Sequence, residues 1–426
     1  MPASCAFNII QDLYLLNRNF CSSDYDASLG FLNKLLPLKF YTFRKEDELN
    51  GWEIPPKWDF IEGTIAYLGK VIFKVEHPLQ IIGLSKPFQG KVTLEELRKH
   101  LFYDRRDPKA TPYHFRQNYR PWERDWGFCV SQEFYDNLPE GPFEVTIKTQ
   151  EEEGYLTIGE NRKEGKNPET FAFVAHLDHP GMANDDLAGV AVGIELFRRL
   201  QNIPTKFSYS LVLVQEIIGS VFYLEKMQKT GHKILESCFL EMLGTKTPLA
   251  FQKSRKEDTQ LENSLQDALK PYTHRVGPFR SIICNDEIVW ESYGIPMASL
   301  SRYPYPEYHS EKDNPSIISE EFLEESVQVL LKSIQELEKK TLLRKKFKGV
   351  LSLSNPQYNL YVDPGQPAFG SVAGESIQKL RLLMDLLPMY PSPIFVEKIA
   401  SDLSLSMEEV LKYLKLWQEK ELVELI

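Results

Sequence analysis

The sequence predicts a mixed α/β protein with a layered sheet, on two observations. Between residues 171 and 300, short apolar runs of the kind that form buried strands alternate with segments of helical periodicity. Leu187–Leu200 has apolar residues at 187, 190, 191, 194 and 197, which is the spacing of a helix with one buried face. Strands and helices that alternate in this way build a sheet covered by helices. The predicted strands are Phe171–Ala175, Tyr209–Gln215, Cys238–Leu243 and Met297–Leu300.

The chain on either side of this region divides into further parts. Ile9–Leu36 is predicted to be largely helical, because its apolar residues recur at helical spacing. From residue 51 to residue 153, β-rich runs such as Thr64–Leu68 and Phe143–Lys148 are separated by prolines and aromatic residues, which indicates an inserted β-rich domain with its own core. The predicted layout is a sheet domain at 1–50 and 154–347, the inserted domain at 51–153, a linker at 348–375 and a C-terminal domain at 376–426.

The C-terminal domain is predicted to resemble a winged helix, with helical segments followed by a strand. Ser406 and Glu409 carry the sequence signature of a capping box for the last helix. That helix has three glutamates and three lysines, a net charge of zero, whereas a helix that reads a DNA groove is normally basic. We therefore expect no nucleic-acid partner, which leaves a protein partner or a homo-oligomer for this domain. The helical segments are Ser376–Leu387, Ile394–Leu403 and Ser406–Lys420, and the strand is Leu422–Ile426.

The composition excludes several classes of protein. The chain has 426 residues, of which 42% are apolar and 26% charged, so it can bury substantial cores and is neither disordered nor fibrous. Its 50 basic and 60 acidic residues give a net charge of −10, so the chain is a poor candidate for wrapping nucleic acid through neutralisation of the phosphates. No apolar run reaches the roughly 18 residues of a membrane span. Five scattered cysteines without a Cys-x-x-Cys pair, and a start unlike a signal peptide, predict a cytoplasmic protein.

Polar residues cluster where the predicted strands end. His176 and Asp178 follow the first strand, and Asn184–Asp186 opens the helix after it. Ligands of open α/β sheets bind at the edge where the strands end, so side chains after different strands can meet there. Histidines and carboxylates together suit a borderline dication such as zinc. The acids and the histidine that lie at or after the later apolar runs are Glu216, Glu241 and His309.

These motifs follow one another in a recognisable order. His-x-Asp, Asn-Asp-Asp-x-x-Gly, an acid near Gly-Ser, an acid before Met-x-Gly and Tyr-His-Ser-x-x-Asp-Asn succeed one another along the chain. The series resembles the zinc aminopeptidases of metallopeptidase family 28. It is closest to a bacterial branch that carries an inserted β-rich domain and a C-terminal winged helix and is linked to polysaccharide biosynthesis. The resemblance covers nearly the whole chain, and it implies a three-layer, zinc-aminopeptidase-like sheet domain.

The resemblance also implies roles for the individual residues. Two zinc ions would be bound, one by His176 and the other by His309, with Asp185 between them because it lies four residues before Gly189. Asp178 would orient His176 and, with Glu216, would be catalytic. The reaction implied is attack by zinc-activated water on an amide bond of a small peptide or of an amino-sugar-related substrate. The implied metal ligands are His176, Asp185, Glu216, Glu241 and His309.

One position departs from the family pattern. The family has two adjacent glutamates, a general base and then a ligand, where this chain has Gln215 and Glu216. Glutamine cannot take up a proton near neutral pH. Either Glu216 is the base and one metal lacks a ligand, or Glu287 or another acid reaches into the site, or metal is bound without peptidase turnover. The last option predicts a catalytically impaired metal-binding or regulatory protein, which is the alternative function.

Other residues near these motifs carry weaker expectations. His179, directly before Pro180, is expected to be an exposed loop residue rather than part of the site. Asn285–Glu287 is expected near the pocket, because it matches the family branch. For Tyr305, a place in the pocket and simple packing are equally compatible with the sequence.

Overall fold

The computed structural model describes residues 5–363 and 375–426. It divides into two compact units, Met1–Ser333 and Ile334–Ile426. In the described parts of the chain, no helix combines the length and the apolar character needed to cross a lipid bilayer. The helices are α1 Cys5–Leu13, α2 Ser23–Leu35, α3 Leu94–Lys99, α4 Gln132–Asp136, α5 Gly189–Leu200, α6 Ile218–Thr230, α7 Gln260–Leu269, α8 Glu287–Ser292, α9 Glu320–Leu337, α10 Glu375–Leu386, α11 Val396–Leu403 and α12 Met407–Glu419.

A large mixed sheet forms the centre of the first unit. Its strand order is β1-β8-β10-β9-β11-β14-β12-β13, and the neighbours β10, β9, β11 and β14 run parallel. The predicted apolar runs correspond to β9, β10, β11 and β14, so the predicted α/β class is confirmed. The strands of this sheet are β1 Lys39–Arg44, β8 Tyr155–Lys163, β9 Thr170–His176, β10 Ser208–Val214, β11 Ile234–Glu241, β12 Leu249–Gln252, β13 His274–Gly277 and β14 Met297–Ser301.

Helices cover both faces of this sheet because successive residues of a strand point to opposite sides. Ala172 and Val174 of β9 pack in one cluster with Val221 of α6 and Trp290 of α8. On the other face, the ring of Phe173 lies 6.1 Å from that of Phe197 in α5. The sheet is therefore the middle of three layers.

Residues 57–152, the inserted module, contain a sheet and a hydrophobic core of their own. The antiparallel order is β3-β2-β7-β4, and Trp58, Phe128 and Phe143 are fully buried within this module. The module belongs to the same compact unit as the large sheet. Its strands are β2 Lys57–Tyr67, β3 Lys70–Lys74, β4 Phe88–Val92, β5 Leu101–Phe102, β6 Phe128–Cys129 and β7 Phe143–Glu152.

The second unit combines α10, α11 and α12 with an antiparallel sheet of order β16-β15-β17. The predicted segment order and the capping box of Ser406 and Glu409 are confirmed. The predicted boundaries differ from the structure, since the central strand precedes residue 347 and Leu353 and Leu360 of the expected linker are buried in this unit. The remainder of that linker, from residue 364 to residue 374, lies outside the described residues. The strands are β15 Leu342–Lys345, β16 Ile394–Phe395 and β17 Val423–Leu425.

The capping box gives a stability prediction for the second unit. Ser406 accepts a hydrogen bond from the backbone N–H of Glu409, and the carboxylate of Glu409 accepts from the backbone N–H of Ser406. We expect Ser406→Ala to destabilise α12 by about 1 kcal/mol, so that its amide protons exchange about fivefold faster. Hydrogen exchange by mass spectrometry measures this. Ser401→Ala, at an exposed position of α11, is the control; an equal effect of both substitutions would contradict the capping role.

Candidate metal centre

The strand ends bring the candidate residues to one edge of the large sheet. In the parallel register, Val214 at the end of β10 pairs with His176 at the end of β9, and Glu241 of β11 pairs with Ser301 of β14. The loop that carries His309 follows β14 directly. Side chains from these segments therefore share the carboxyl edge, as the sequence predicts.

Two histidines and one aspartate form a compact group there. His179, Asp185 and His309 each offer a ligand atom, and these atoms lie within 4.8 Å of one another. Asp185 Oδ2 is 3.2 Å from His309 Nε2 and 3.9 Å from His179 Nε2. Burial opposes ionisation of Asp185, but the two histidines lower its pKa to about 2. Two imidazoles and a carboxylate in a shielded site are a donor set that zinc accepts.

Asp186, the neighbour of Asp185, has a structural role. Its Oδ1 accepts from the backbone N–H groups of Met242 and Gly189, and its Oδ2 accepts from that of His176. Asp186 thus ties together the ends of β9 and β11 and the start of α5. Both of its oxygens are used, whereas Asp185 faces His309, as the resemblance implies, and His179 in place of the expected His176.

Asp313 holds the backbone that presents Asp185. Its carboxylate accepts from the N–H groups of Asn184, at 2.6 Å, and Asp185, at 3.1 Å. Tyr305 donates its hydroxyl to the same carboxylate at 2.6 Å. Tyr305 therefore supports the site indirectly, through Asp313. Of the two expectations for this residue, its contacts favour packing over a place in the pocket.

Glu216 approaches the group from the end of β10. Its Oε2 lies 3.9 Å from His179 Nε2 and accepts the hydroxyl of Tyr119. Asp178 Oδ1 accepts from the backbone N–H of Glu216 at 2.8 Å, so it fixes the start of this segment. Glu216 is thus the carboxylate beside the cluster whose side chain remains partly exposed, at 18%.

The side chain of Gln215 points away from this cluster and into the core. Its Nε2 donates to the backbone carbonyls of Phe20, at 3.0 Å, and Thr157, at 3.3 Å, and the residue is fully buried. Successive residues of extended chain face opposite sides, so Gln215 enters the core while Glu216 faces the cluster. The substitution of glutamine for glutamate therefore does not put an amide in place of the carboxylate beside His179.

The structure corrects the predicted partner of His176. Its Nε2 is 2.7 Å from Asp286 Oδ2, and Asp178 does not orient it. Burial opposes protonation of His176, yet the charge of Asp286 and the hydrogen bond to it raise its pKa to about 10. Asp286 also accepts from the backbone N–H of Ile217 at 2.9 Å. The pair joins the end of β9 to the segments before α6 and α8.

The buried pair gives a second stability prediction. We expect Asp286→Ala to lower the free energy of unfolding of the metal-free protein by about 3 kcal/mol, because it strands a buried histidine without its partner. Urea denaturation measures this. Asp267→Ala, which removes only an exposed pair with Lys270, should cost about 0.5 kcal/mol or less. Equal costs for the two variants would contradict the structural role of the pair.

His179 is buried, so the expectation of an exposed loop residue was wrong. Only 3% of its surface is accessible. The cause is Arg18, itself fully buried, whose guanidinium donates to the backbone carbonyls of Leu177, His179 and Met182. Three hydrogen bonds from one buried guanidinium to backbone carbonyls hold this loop in the interior. The interaction joins residues about 160 positions apart, and no local pattern in the sequence signals it.

Glu241 and the segment Asn285–Glu287 lie beside the group. Asn285 Nδ2 donates to Glu241 Oε1. Glu287 accepts from Gln252, Ser299 and the backbone of Asn285, so both of its oxygens are occupied within the core and it does not reach the cluster.

Several buried polar atoms of this edge lack a hydrogen-bond partner. Within residues 5–363 and 375–426, the crowded carboxylates of this edge leave oxygens unsatisfied. Buried oxygens without a partner are costly unless something else pairs with them, and a bound cation would do so. The residues present therefore fit a metal ion. The atoms are Asp185 Oδ1, Asp178 Oδ2, Glu241 Oε2, Asp286 Oδ1, His176 Nδ1 and His179 Nδ1.

The inserted module also contributes to this edge, which the sequence analysis missed. The backbone N–H of Tyr113 donates to the carbonyl of His309 at 2.9 Å. The ring of Tyr113 lies 5.4 Å from that of His309 and 5.5 Å from that of His179, and the ring of Phe115 lies 5.6 Å from that of His309. The available signal was the density of aromatic residues between 113 and 122.

Comparison with known proteins finds relatives of similar sequence and structure. A Clostridium acetobutylicum protein, provisionally named a polysaccharide biosynthesis protein with an aminopeptidase-like domain, is 25% identical over 346 residues, which cover 78% of this chain and 77% of the relative. A crystal structure from the same species, provisionally named a peptidase, is 21% identical with a TM-score of 0.75, covering 99% of this chain and 96% of that one.

A zinc aminopeptidase from Bacillus subtilis is 17% identical with a TM-score of 0.59, covering 78% of this chain and 94% of its own. The predicted resemblance to zinc aminopeptidases is thus confirmed at the level of the fold. Residues 7–340, which include the large sheet, the inserted module and every residue of the candidate metal centre, match a protein family described as a domain of unknown function. The chain belongs to this family, DUF4910.

Proposed function

We propose that the chain is a metal-dependent hydrolase of the aminopeptidase type. The observation that carries the proposal is the group of the buried His179 and Asp185 with the partly exposed His309, whose ligand atoms lie within 4.8 Å of one another at the carboxyl edge of the sheet. The aminopeptidase-like fold and the names of its relatives support the same reaction class. The substrate would be an amide of a peptide or of an amino-sugar-related compound, and the proposed location is the cytoplasm.

Each residue of the site would have a separate role. His179, Asp185 and His309 would hold zinc, which when bound polarises a carbonyl and lowers the pKa of water. Glu216, 3.9 Å from His179, would accept a proton from water and pass it to the leaving amine. Tyr119 would hold the Glu216 carboxylate in place through its hydroxyl. Asp178 would fix the Glu216 backbone.

The predicted second ion is part of the proposal as well. Asp185 would be the shared ligand, because its Oδ2 serves the histidines and its buried Oδ1 pairs with no other atom of the described chain. Glu241 has a buried oxygen of the same kind and would be its carboxylate ligand. His176 keeps its predicted ligand role only if it gives up Asp286, so we assign it to support instead.

The proposal is tested by metal content and turnover measured on the same preparation. We expect zinc to co-purify with the protein and the loaded protein to hydrolyse members of a panel of aminoacyl amides and short peptides. Zinc retained without turnover on this panel would support the rival, a metal-binding or regulatory protein. Gln215 favours that rival by its sequence position, whereas the nearness of the Glu216 carboxylate to His179 supports the hydrolase. Absence of zinc after incubation with excess metal would contradict both functions.

A further inference from the structure

A cavity of about 350 Å³ lies in the inserted module beside the candidate metal centre. A volume near the lower end of the range for ligand pockets suits a single amino-acid residue or a group of similar size. The residues that line it all come from one segment, 113–120. They are Tyr113, His114, Phe115, Arg116, Tyr119 and Arg120.

The wall of this cavity contacts the proposed catalytic group directly. Tyr113 and Phe115 place their rings within 5.6 Å of the His309 ring, measured between centroids. Tyr119 donates its hydroxyl to Glu216. A substrate whose amide carbonyl lies at the metal centre would therefore extend a neighbouring group along these aromatic rings, which bind apolar surface.

The segment is fastened to the loop of His309, so the cavity keeps its place beside the centre. Pro112 and Ser310 form an isolated β-bridge, and Tyr113 donates to the carbonyl of His309. Immediately before it, the backbone N–H of Thr111 donates to Glu311 at 2.5 Å, and Glu311 returns a backbone bond to Thr111 at 3.2 Å.

The charges of the two regions are opposite. The metal centre is lined by carboxylates, whereas two exposed arginines, Arg116 and Arg120, line the cavity. Arg120 pairs with Glu123 at 3.2 Å in an exposed ion pair, which is weak. The side chain of Arg116 forms no ion pair or hydrogen bond with any residue that the structure describes. Its guanidinium is free to form the paired hydrogen bonds that arginine makes to a carboxylate.

We propose that segment 113–120 is the substrate-binding wall of the metal centre, and that Arg116 selects amides carrying a carboxylate on the residue held against the wall. The aromatic rings contact the apolar part of that residue's side chain, and the Arg116 guanidinium binds the carboxylate at the end of the same side chain. The preferred substrate class is then an amide of an acidic amino acid or of a similar short carboxylic acid. The inference rests on the proposed function, since it assumes that the scissile amide lies at the metal centre.

The test uses two probes that differ only in charge, the α-hydroxamates of glutamate and of glutamine. A hydroxamate chelates zinc, so both probes are fixed at the centre by the same group, and their affinities are measured by calorimetry on zinc-loaded protein without turnover. We expect the glutamate probe to bind about tenfold more tightly, the size of a charge-assisted hydrogen bond. Arg116→Gln should abolish the preference. Arg105→Gln, an exposed arginine of the same module outside the cavity, should retain it.

Equal affinities in the wild-type protein, failure of both probes to bind, or a preference that survives in Arg116→Gln would each overturn the inference. Zinc content and amide turnover are measured on the same samples. Zinc-loaded protein that discriminates between the probes but hydrolyses no amide would contradict the proposed function while supporting the selectivity of the wall. Turnover without discrimination between the probes would support the proposed function and contradict the selectivity of the wall. Protein that takes up no zinc would contradict both.

Discussion

His309→Ala should lower the affinity of the protein for zinc by about 100-fold or more, since loss of even a supporting residue around a metal ligand costs 10–100-fold. His309 Nε2 lies 3.2 Å from Asp185 Oδ2, and its ring is braced by Tyr308 at 3.8 Å and by Tyr113 at 5.4 Å. The substitution leaves these neighbours in place and removes one of the proposed ligands. Competition with a chromogenic chelator measures the change.

The matched control for this experiment is His232→Ala, at an exposed position at the end of α6. Zinc affinity should be unchanged in this variant. Asp185→Ala should weaken zinc binding at least as much as His309→Ala, because Asp185 faces both histidines. If His309→Ala bound zinc as tightly as the wild-type protein, His309 would not be a ligand and the proposed group would be wrong.

Glu216→Gln should reduce kcat by about 10²–10⁴ with little change in KM, which is the usual effect of removing a general base. The glutamine can still accept the hydroxyl of Tyr119, so the local packing is kept while the capacity to take up a proton is lost. Steady-state kinetics on the best amide of the panel, with zinc content measured alongside, gives the result.

Glu225→Gln is the control for this substitution, because Glu225 lies on the next helix, α6, and pairs with the exposed Lys229 at 3.0 Å. Its kinetics should match those of the wild-type protein. A Glu216→Gln variant that kept its kcat within about threefold would contradict the role of Glu216 as the proton acceptor. If it lost zinc as well as activity, Glu216 would instead be acting as a ligand.

Much of the fold could be predicted because each buried parallel strand is a continuous apolar run in the sequence. β9, β10, β11 and β14 were located in this way, and the helix after β9 by its one-sided periodicity. The edge strands β1 and β13 were missed, since half-exposed strands lack such runs, and β8 and β12 were missed as well. The boundary of the second unit was misplaced because β15 pairs with β17, about 80 residues later, and no local pattern shows that pairing.

For the site, the rule that ligands gather at the carboxyl ends of strands led to the segments of Asp185, Glu216 and His309, and the resemblance then singled out Asp185 from its neighbours. It did not separate His176 from His179, because the difference depends on distant partners. Asp286 engages His176 from 110 positions away, and Arg18 buries the loop of His179 from the start of the chain. Tyr119 was missed for a related reason, since its role depends on how the inserted module meets the large sheet.

Binding of zinc to His179, Asp185 and His309 is tested most directly by anomalous diffraction at the zinc edge from crystals grown with the metal. We expect an anomalous peak about 2.0–2.2 Å from a ring nitrogen of His179, from one of His309 and from a carboxylate oxygen of Asp185. His176 should remain bonded to Asp286. A peak bonded to His176 with His179 left free, or no peak at this edge of the sheet, would show that these three residues are not the zinc ligands.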